Sequence, residues 1–157
     1  MSVTKQRGLY KQKIKTVLFK SDTLNSILIG EVERTSDKIK AINKVIKTHL
    51  FIDDTITEPG SYIYYDVVIP EVNNQTKECN IYLYAICHRD ILDKPVNLEN
   101  YHGNRADVMA QLIEETLLDK SNRNQFGIGK LDLNSLDIYN STNFYGVQMI
   151  FSTHDFN

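Results

Sequence analysis

The segment Gly103-Asn104-Arg105-Ala106-Asp107 opens a helix, and two stretches suited to strands follow it towards the end of the chain. Phe126-Gly127-Ile128-Gly129-Lys130-Leu131-Asp132-Leu133 and Asn143-Phe144-Tyr145-Gly146-Val147-Gln148-Met149-Ile150-Phe151 read as a strand pair, joined by the polar turn Asn140-Ser141-Thr142-Asn143. In the helix, Asn104 is the expected cap and Asp107 suits the positive end of the helix dipole. Ala106, Met109, Ile113 and Leu117 form its inward stripe, with Glu114, Glu115 and Asp119 outward. A helix laid on a terminal hairpin, with no catalytic constellation in it, reads as architecture.

Upstream, the apolar period changes once. Leu9, Ile14, Val17 and Leu18 make a helical stripe over residues 9–20, with Lys11 and Lys15 outside it. Ser21-Asp22 interrupts, and Thr23 to Ile29 reads as a short apolar segment closed by Gly30. A second helix follows. Ser36 can cap it, Ile39, Ile42, Val45, Ile46 and Leu50 recur at helical steps, and Lys40, Lys44 and Lys47 form a basic face. After a loop over residues 51–60, period two takes over. Ile63, Tyr65, Val67 and Ile69 line one face of a strand that Pro70 stops, and Ile81, Leu83, Ala85 and Cys87 line the next. The polar stretch Asn73-Asn74-Gln75-Thr76-Lys77 makes these two a hairpin.

These elements predict an α+β fold in the order α-α-β-β-α-β-β, a mainly antiparallel sheet of two hairpins with helices packed on it. At 157 residues one domain is expected, with a basic helical segment over 1–50 and a hairpin–helix–hairpin core over 60–157. The opposite face of the first hairpin is unusual in carrying Tyr62, Tyr64, Tyr82, Tyr84 and Ile86. Tyrosine combines apolar area with a polar tip, which suits a face covered by a partner, or equally by a helix of the same chain.

The net charge of −2 conceals a division. Residues 1–50 hold eleven Lys or Arg against four acids, or +7, whereas residues 51–157 hold seven against sixteen, or −9. Such asymmetry fits a nucleic-acid surface, two solvated faces without a partner, or a protomer whose basic side meets the acidic side of its copy. The basic start Met1-Ser2-Val3-Thr4-Lys5-Gln6-Arg7 leads into further lysines and not into an apolar signal core, so a cytoplasmic product is expected, with no membrane segment.

Chemistry is sparse. Cys79 and Cys87 lie eight apart in one predicted strand, too far for a disulfide, and are expected as free thiols. His49, His88, His102 and His154 are scattered without metal-ligand spacing, and no metal is expected. A metal-dependent hydrolase would need Asp53, Asp66, His88 or Asp155 to converge on one pocket. Gly127-Ile128-Gly129 precedes a strand, so no helix N-terminus stands behind it to cradle phosphate. No catalytic residue or cofactor is therefore assigned. The lysine face permits at most weak, salt-sensitive attraction to DNA.

Beyond these readings the wording is familiar. Tyr62-Ile63-Tyr64-Tyr65-Asp66, the strand Ile81–His88, Gly103–Asp107, Gly127–Leu131 and Phe144-Tyr145-Gly146 through Asp155-Phe156-Asn157 resemble the tail terminator, or tail-to-head joining, proteins of long-tailed bacteriophages and related phage-tail-like particles. The resemblance covers roughly residues 60–157 and none of its motifs is unique. It implies a structural protein of the virion neck, assembled in the host cytoplasm. This would be a homohexameric ring that caps the tail tube, touches the major tail tube protein and the head connector or stopper, and lets DNA pass without specific contact. The residues expected at its interfaces are Lys40, Lys44, Lys47, Tyr62, Tyr64, Tyr82, Tyr84, Arg89, Asp90 and His102. A head-completion or stopper ring is the nearest alternative; a small hydrolase or a non-specific DNA-binding accessory protein comes next.

Overall fold

Ser2 accepts a hydrogen bond from the Lys5 amide at 3.2 Å and starts the first helix of the computed structural model, which describes residues 2–30, 35–56, 58–70, 77–119 and 131–156. This helix, α1 (Val3–Phe19), begins earlier than its apolar stripe implied and buries Tyr10, Ile14, Val17 and Leu18. Ser21 then acts as a cap, not as an interruption. Its hydroxyl accepts from the Leu24 amide, Asp22 sits in the first turn, and Asp22–Ile29 forms a helix, α2. Thr23 to Ile29, expected as an unassigned apolar segment, is thus helical, because a cap and an acid together satisfy a helix start that apolar content alone does not announce. Asn25 of α2 is buried and donates from Nδ2 to the Phe19 carbonyl at 2.6 Å, closing the end of α1.

The third helix, α3 (Thr35–Val45), stops five residues before the expected Leu50. Ile46–Lys47 leaves it as a two-residue strand, β1, parallel to Ile63–Tyr64. Tertiary pairing overrides the helical period here: β-branched Ile46 is buried more readily at a sheet edge than in another helical turn. Lys47 consequently leaves the basic face. Its register partner is Tyr64, so it lies on the tyrosine side of the sheet while Lys40 and Lys44 stay exposed on α3.

The strands β2 (Ser61–Val68), β3 (Lys77–His88), β4 (Asp132–Asn140) and β5 (Phe144–Phe156) complete one sheet in the order β1-β2-β3-β5-β4, antiparallel except at β1. The α+β class and the two hairpins agree with the sequence. The turn residues 73–76 and the glycines Gly127 and Gly129 lie outside the described residues. On one face Ile63, Tyr65, Val67, Ile81, Leu83, Met149 and Phe151 are buried beneath the helices. The fourth helix, α4 (Arg105–Leu118), contributes Ala106, Met109, Ile113 and Leu117 as expected, and its capping box joins Asn104 and Asp107 in both directions at 3.0 Å. Arg105, at its first position, donates to Ser61 Oγ at 3.0 Å and to the Ile27 carbonyl at 2.6 Å, fastening α4 to β2 and to the open end of α2.

The helical layer is also tied to β2 by charge. Arg7 and Lys11 of α1 both reach Asp66 Oδ1, at 2.6 and 2.7 Å. Partial burial alone would raise the Asp66 pKa, but hydrogen bonds from Lys11 and the Val67 amide, with the two cations, hold it below its ordinary 3.8. A carboxyl depressed on folding contributes stability above that ordinary value and loses it as pH falls through the folded one. Melting temperature followed from roughly pH 5 to 2 is expected to fall less steeply in Asp66→Asn than in the unmodified protein; parallel curves would show that the pair contributes nothing.

Candidate interaction surfaces

The face of the sheet away from the helices holds the predicted tyrosines, and the chain covers much of it by itself. Register places Tyr62 beside Ile86, Tyr64 beside Tyr84, and Tyr82 between Asp66 and Ile150. Tyr64, Ile86 and Phe144 form a small second core, on which Ile52, Ile56, Tyr62, Tyr84 and Tyr139 pack. Phe144 takes the rings of Tyr62 and His88 nearly edge-on, at 5.8 and 5.6 Å, and Tyr84 lies 5.2 Å from Tyr139. Within the chain the cover is not an α-helix but the 51–60 loop, which supplies it through Ile52 and Ile56, and Asn143 ties that loop down by donating to the Asp54 carbonyl at 2.6 Å. Tyr64, only 3% exposed, drops out as a docking residue, whereas Tyr62, Tyr82 and Tyr84 stay half-buried. Burial raises the hydroxyl pKa values of Tyr62, Tyr64 and Tyr139, and nearby Glu58, Asp53 and Asp54 respectively raise them further.

The predicted residues of the 89–103 connection prove to be braces. Arg89 donates to the carbonyls of Ser141 and Thr142 at 2.8–3.2 Å and to the Asn140 side chain, holding the β4–β5 turn. Asp90 donates its amide to His88 Nδ1 at 3.2 Å. The backbone of His102 is gripped on both sides by the Gln111 amide, at 3.1 and 2.6 Å, which leaves its ring exposed. These residues position a turn and a loop; they do not gather into one patch with the lysines.

Sequence reasoning missed two apolar surface features. Residues of α1 and α3 line an open groove of about 450 Å³, with Phe19, Ile39 and Ile42 beside Gln12, Lys15, Thr16 and Asn43. Ile39 is 46% exposed there, with Lys40 and Lys44 on the same helix. Edge strand β4 exposes Leu136 and Ile138 at 63% and 64%, although their cross-strand partners Met149 and Val147 are buried. Among the described residues α4 packs chiefly over β3 and β5, leaving β4 as a ledge at the edge of the sheet. A signal for that ledge was available: alternation through Leu131 and Leu133 resumes one residue out of step at Leu136 and Ile138. The register shift between Leu133 and Ser135 is the bulge that this slip records.

The residues considered for hydrolysis do not converge. Asp66 is paired with α1, Asp53 accepts from Thr55 within its loop, and His88 pairs with Phe144, six residues along β3 from the Tyr82 that faces Asp66. At strand rise that separation is roughly 20 Å. Asp155 is placed on β5 by its backbone. Among the described residues, no three of His, Cys, Asp and Glu stand close enough to hold a metal ion. Cys79 and Cys87 are free and buried, with thiol pKa values pushed up to about 11 by desolvation. Cys87 packs 3.5 Å from Met109 Sδ and acts as core. No described helix is long and apolar enough to cross a membrane.

Compared with known proteins, the chain matches a protein-family model described as YomW over residues 9–153. No curated protein matches it.

Proposed function

Because the chain belongs to the YomW family, whose phage-derived name marks it as phage-associated, we propose that it is a tail terminator, a ring of copies that caps the tail tube and joins the tail to the head connector. The observation that carries this reading is the unlikeness of the two sheet edges. One side carries exposed lysines on α3 beside an apolar groove; the β4 edge carries exposed Leu136 and Ile138 on one face of the strand and exposed Asp132 and Asp137 on the other. A chain with two different sticky sides associates head to tail, and such contacts close into a ring when the rotation per copy allows. The ends of the sheet then remain for unlike neighbours, the tube on one side and the connector on the other. Half-buried Tyr62 and Tyr84 and the ring of His102 are the side chains offered to them. DNA passes through such a ring without sequence readout.

Electron microscopy of particles made without this protein tests the proposal. Overlong or unattached tails are the expected result. Tails of normal length beside heads that leak DNA would overturn it in favour of a stopper ring.

A further inference from the structure

One hydrogen-bonding device recurs on β2 and on β4. Among the described residues β1 pairs with β2 only at Ile63 and Tyr64, so β2 is itself an edge beyond that point. The Gly60 carbonyl accepts from the His88 amide at 2.9 Å, so alternate residues from there on turn their backbone groups to β3 and Val67 turns its own outward. The Val67 amide donates to Asp66 Oδ1 at 2.8 Å, and its carbonyl accepts from Arg7 Nε of α1 at 2.7 Å. On β4 the Ser141 amide donates to the Phe144 carbonyl at 2.9 Å. Counting back along the strand, Tyr139 and Asp137 turn their backbone groups to β5, while Ile138 and Leu136 turn theirs outward. The outward amide of Ile138 donates to Asp137 Oδ1 at 2.7 Å. In both places an aspartate takes the outward amide of the residue that follows it.

A free amide on an edge strand invites another strand, and a local acceptor satisfies it without one. The two edges differ in their further protection. At β2, α1 lies alongside, with Arg7 and Lys11 both on Asp66. At β4 the bulge between Leu133 and Ser135 bends the strand, and Asp137 stands between Leu136 and Ile138, which are exposed. We propose that Asp137 is an autoinhibitory edge guard, which by holding the Ile138 amide keeps β4 from pairing with the β4 of a second copy. The strand itself defines the pairing that is prevented. A two-fold axis normal to the sheet at residue 137 lays β4 antiparallel to its copy, with Leu136 opposite Ile138 and both on the helical face. Those exposed side chains would then cover one another, and the Ile138 amide would enter a ladder. Asp137 keeps that amide occupied, and in such a pair it would face its own copy, like charge against like. Contacts between copies are thereby confined to side chains, whether or not the copies form a terminator ring.

Three variants test the guard. Asp137→Ala removes the acceptor and the charge. Asp137→Asn removes the charge and keeps an oxygen for the amide. Asp137→Ala with Ile138→Pro removes the amide itself, at an edge position where proline is tolerated. Sedimentation measures association, and the amide band in the infrared separates an added antiparallel strand from contact through side chains. Asp137→Ala is expected to associate at least about tenfold more tightly than the unmodified chain, with growth of the intermolecular strand band. Asp137→Asn and the double variant are expected to stay with the unmodified chain. Far-ultraviolet circular dichroism checks that each is folded. A folded Asp137→Ala no more associated than the unmodified chain at about 1 mM, association without the strand band, or equal association by Asp137→Asn overturns the guard. Should Asp137→Ala fail to fold, hydrogen exchange of the Ile138 amide decides. Protection of at least about tenfold in both the unmodified chain and Asp137→Asn supports the guard, and exchange at the rate of an open chain overturns it.

Discussion

Gly146→Ala is expected to lower the free energy of unfolding by about 2–3 kcal/mol or more, the range of a severely overpacked core. Gly146 lies in β5, in the middle of the sheet, beside Ile86 of β3 and Tyr139 of β4. A Cβ placed on it would stand 2.1 Å from the Ala85 carbonyl oxygen and 2.7 Å from both Cα and Cγ2 of Ile86. Two of these three atoms are backbone, so no side-chain rotation relieves the clash and β3 would have to separate from β5. Gly8→Ala is the control. Nothing lies within 4 Å of its added Cβ, and alanine inside α1 is expected to stabilise by about 0.5–1 kcal/mol. Urea unfolding followed by circular dichroism measures both. Equal midpoints for Gly146→Ala and the unmodified chain would mean that the two strands are not packed so closely.

Phe144→Ala should cost still more, about 3–5 kcal/mol, as for other buried phenylalanines. The ring is fully buried on the face away from the helices, where it meets Tyr62 and His88 edge-on and fills the second core with Tyr64 and Ile86. Removing it also loosens what rests there, namely Ile52 and Ile56 of the loop that Asn143 tethers. Faster proteolysis within residues 51–60 should therefore accompany the loss of stability. A nearly unchanged unfolding midpoint would indicate that the aromatic face stays open in the isolated chain and closes only on a partner, the other reading its tyrosines allowed.

Local rules carried the sequence reading where one element decides its own conformation. Asn104 and Asp107 announced α4, the alternation from Ile63 to Val67 and from Ile81 to Cys87 announced two strands, and Cys79 and Cys87 were free thiols by spacing alone. The reading failed where a distant segment competed. The helical period from Ile39 to Leu50 is genuine in the sequence, yet Ile46 and Lys47 pair with Ile63 and Tyr64 because β2 offers them an edge. Lys47 was thereby separated from Lys40 and Lys44, and the single basic face became two unlike places. Arg89 was expected at an interface; that it also braces the β4–β5 turn was not legible, since nothing near it in sequence announces the carbonyls of Ser141 and Thr142.

The same boundary runs through function. Charge division between the two parts of the chain, the α+β class and the tyrosine face of the first hairpin were determined by the amino-acid order itself, because composition and period are local sums along the chain. Which apolar residues end up without a cover was decided only by the tertiary structure. Leu136 and Ile138 alternate like any buried pair, yet they stand exposed on the edge strand, since among the described residues α4 settles chiefly over β3 and β5. Burial depends on where another element comes to rest, and that position is a property of the whole packing, not of the strand that it fails to cover.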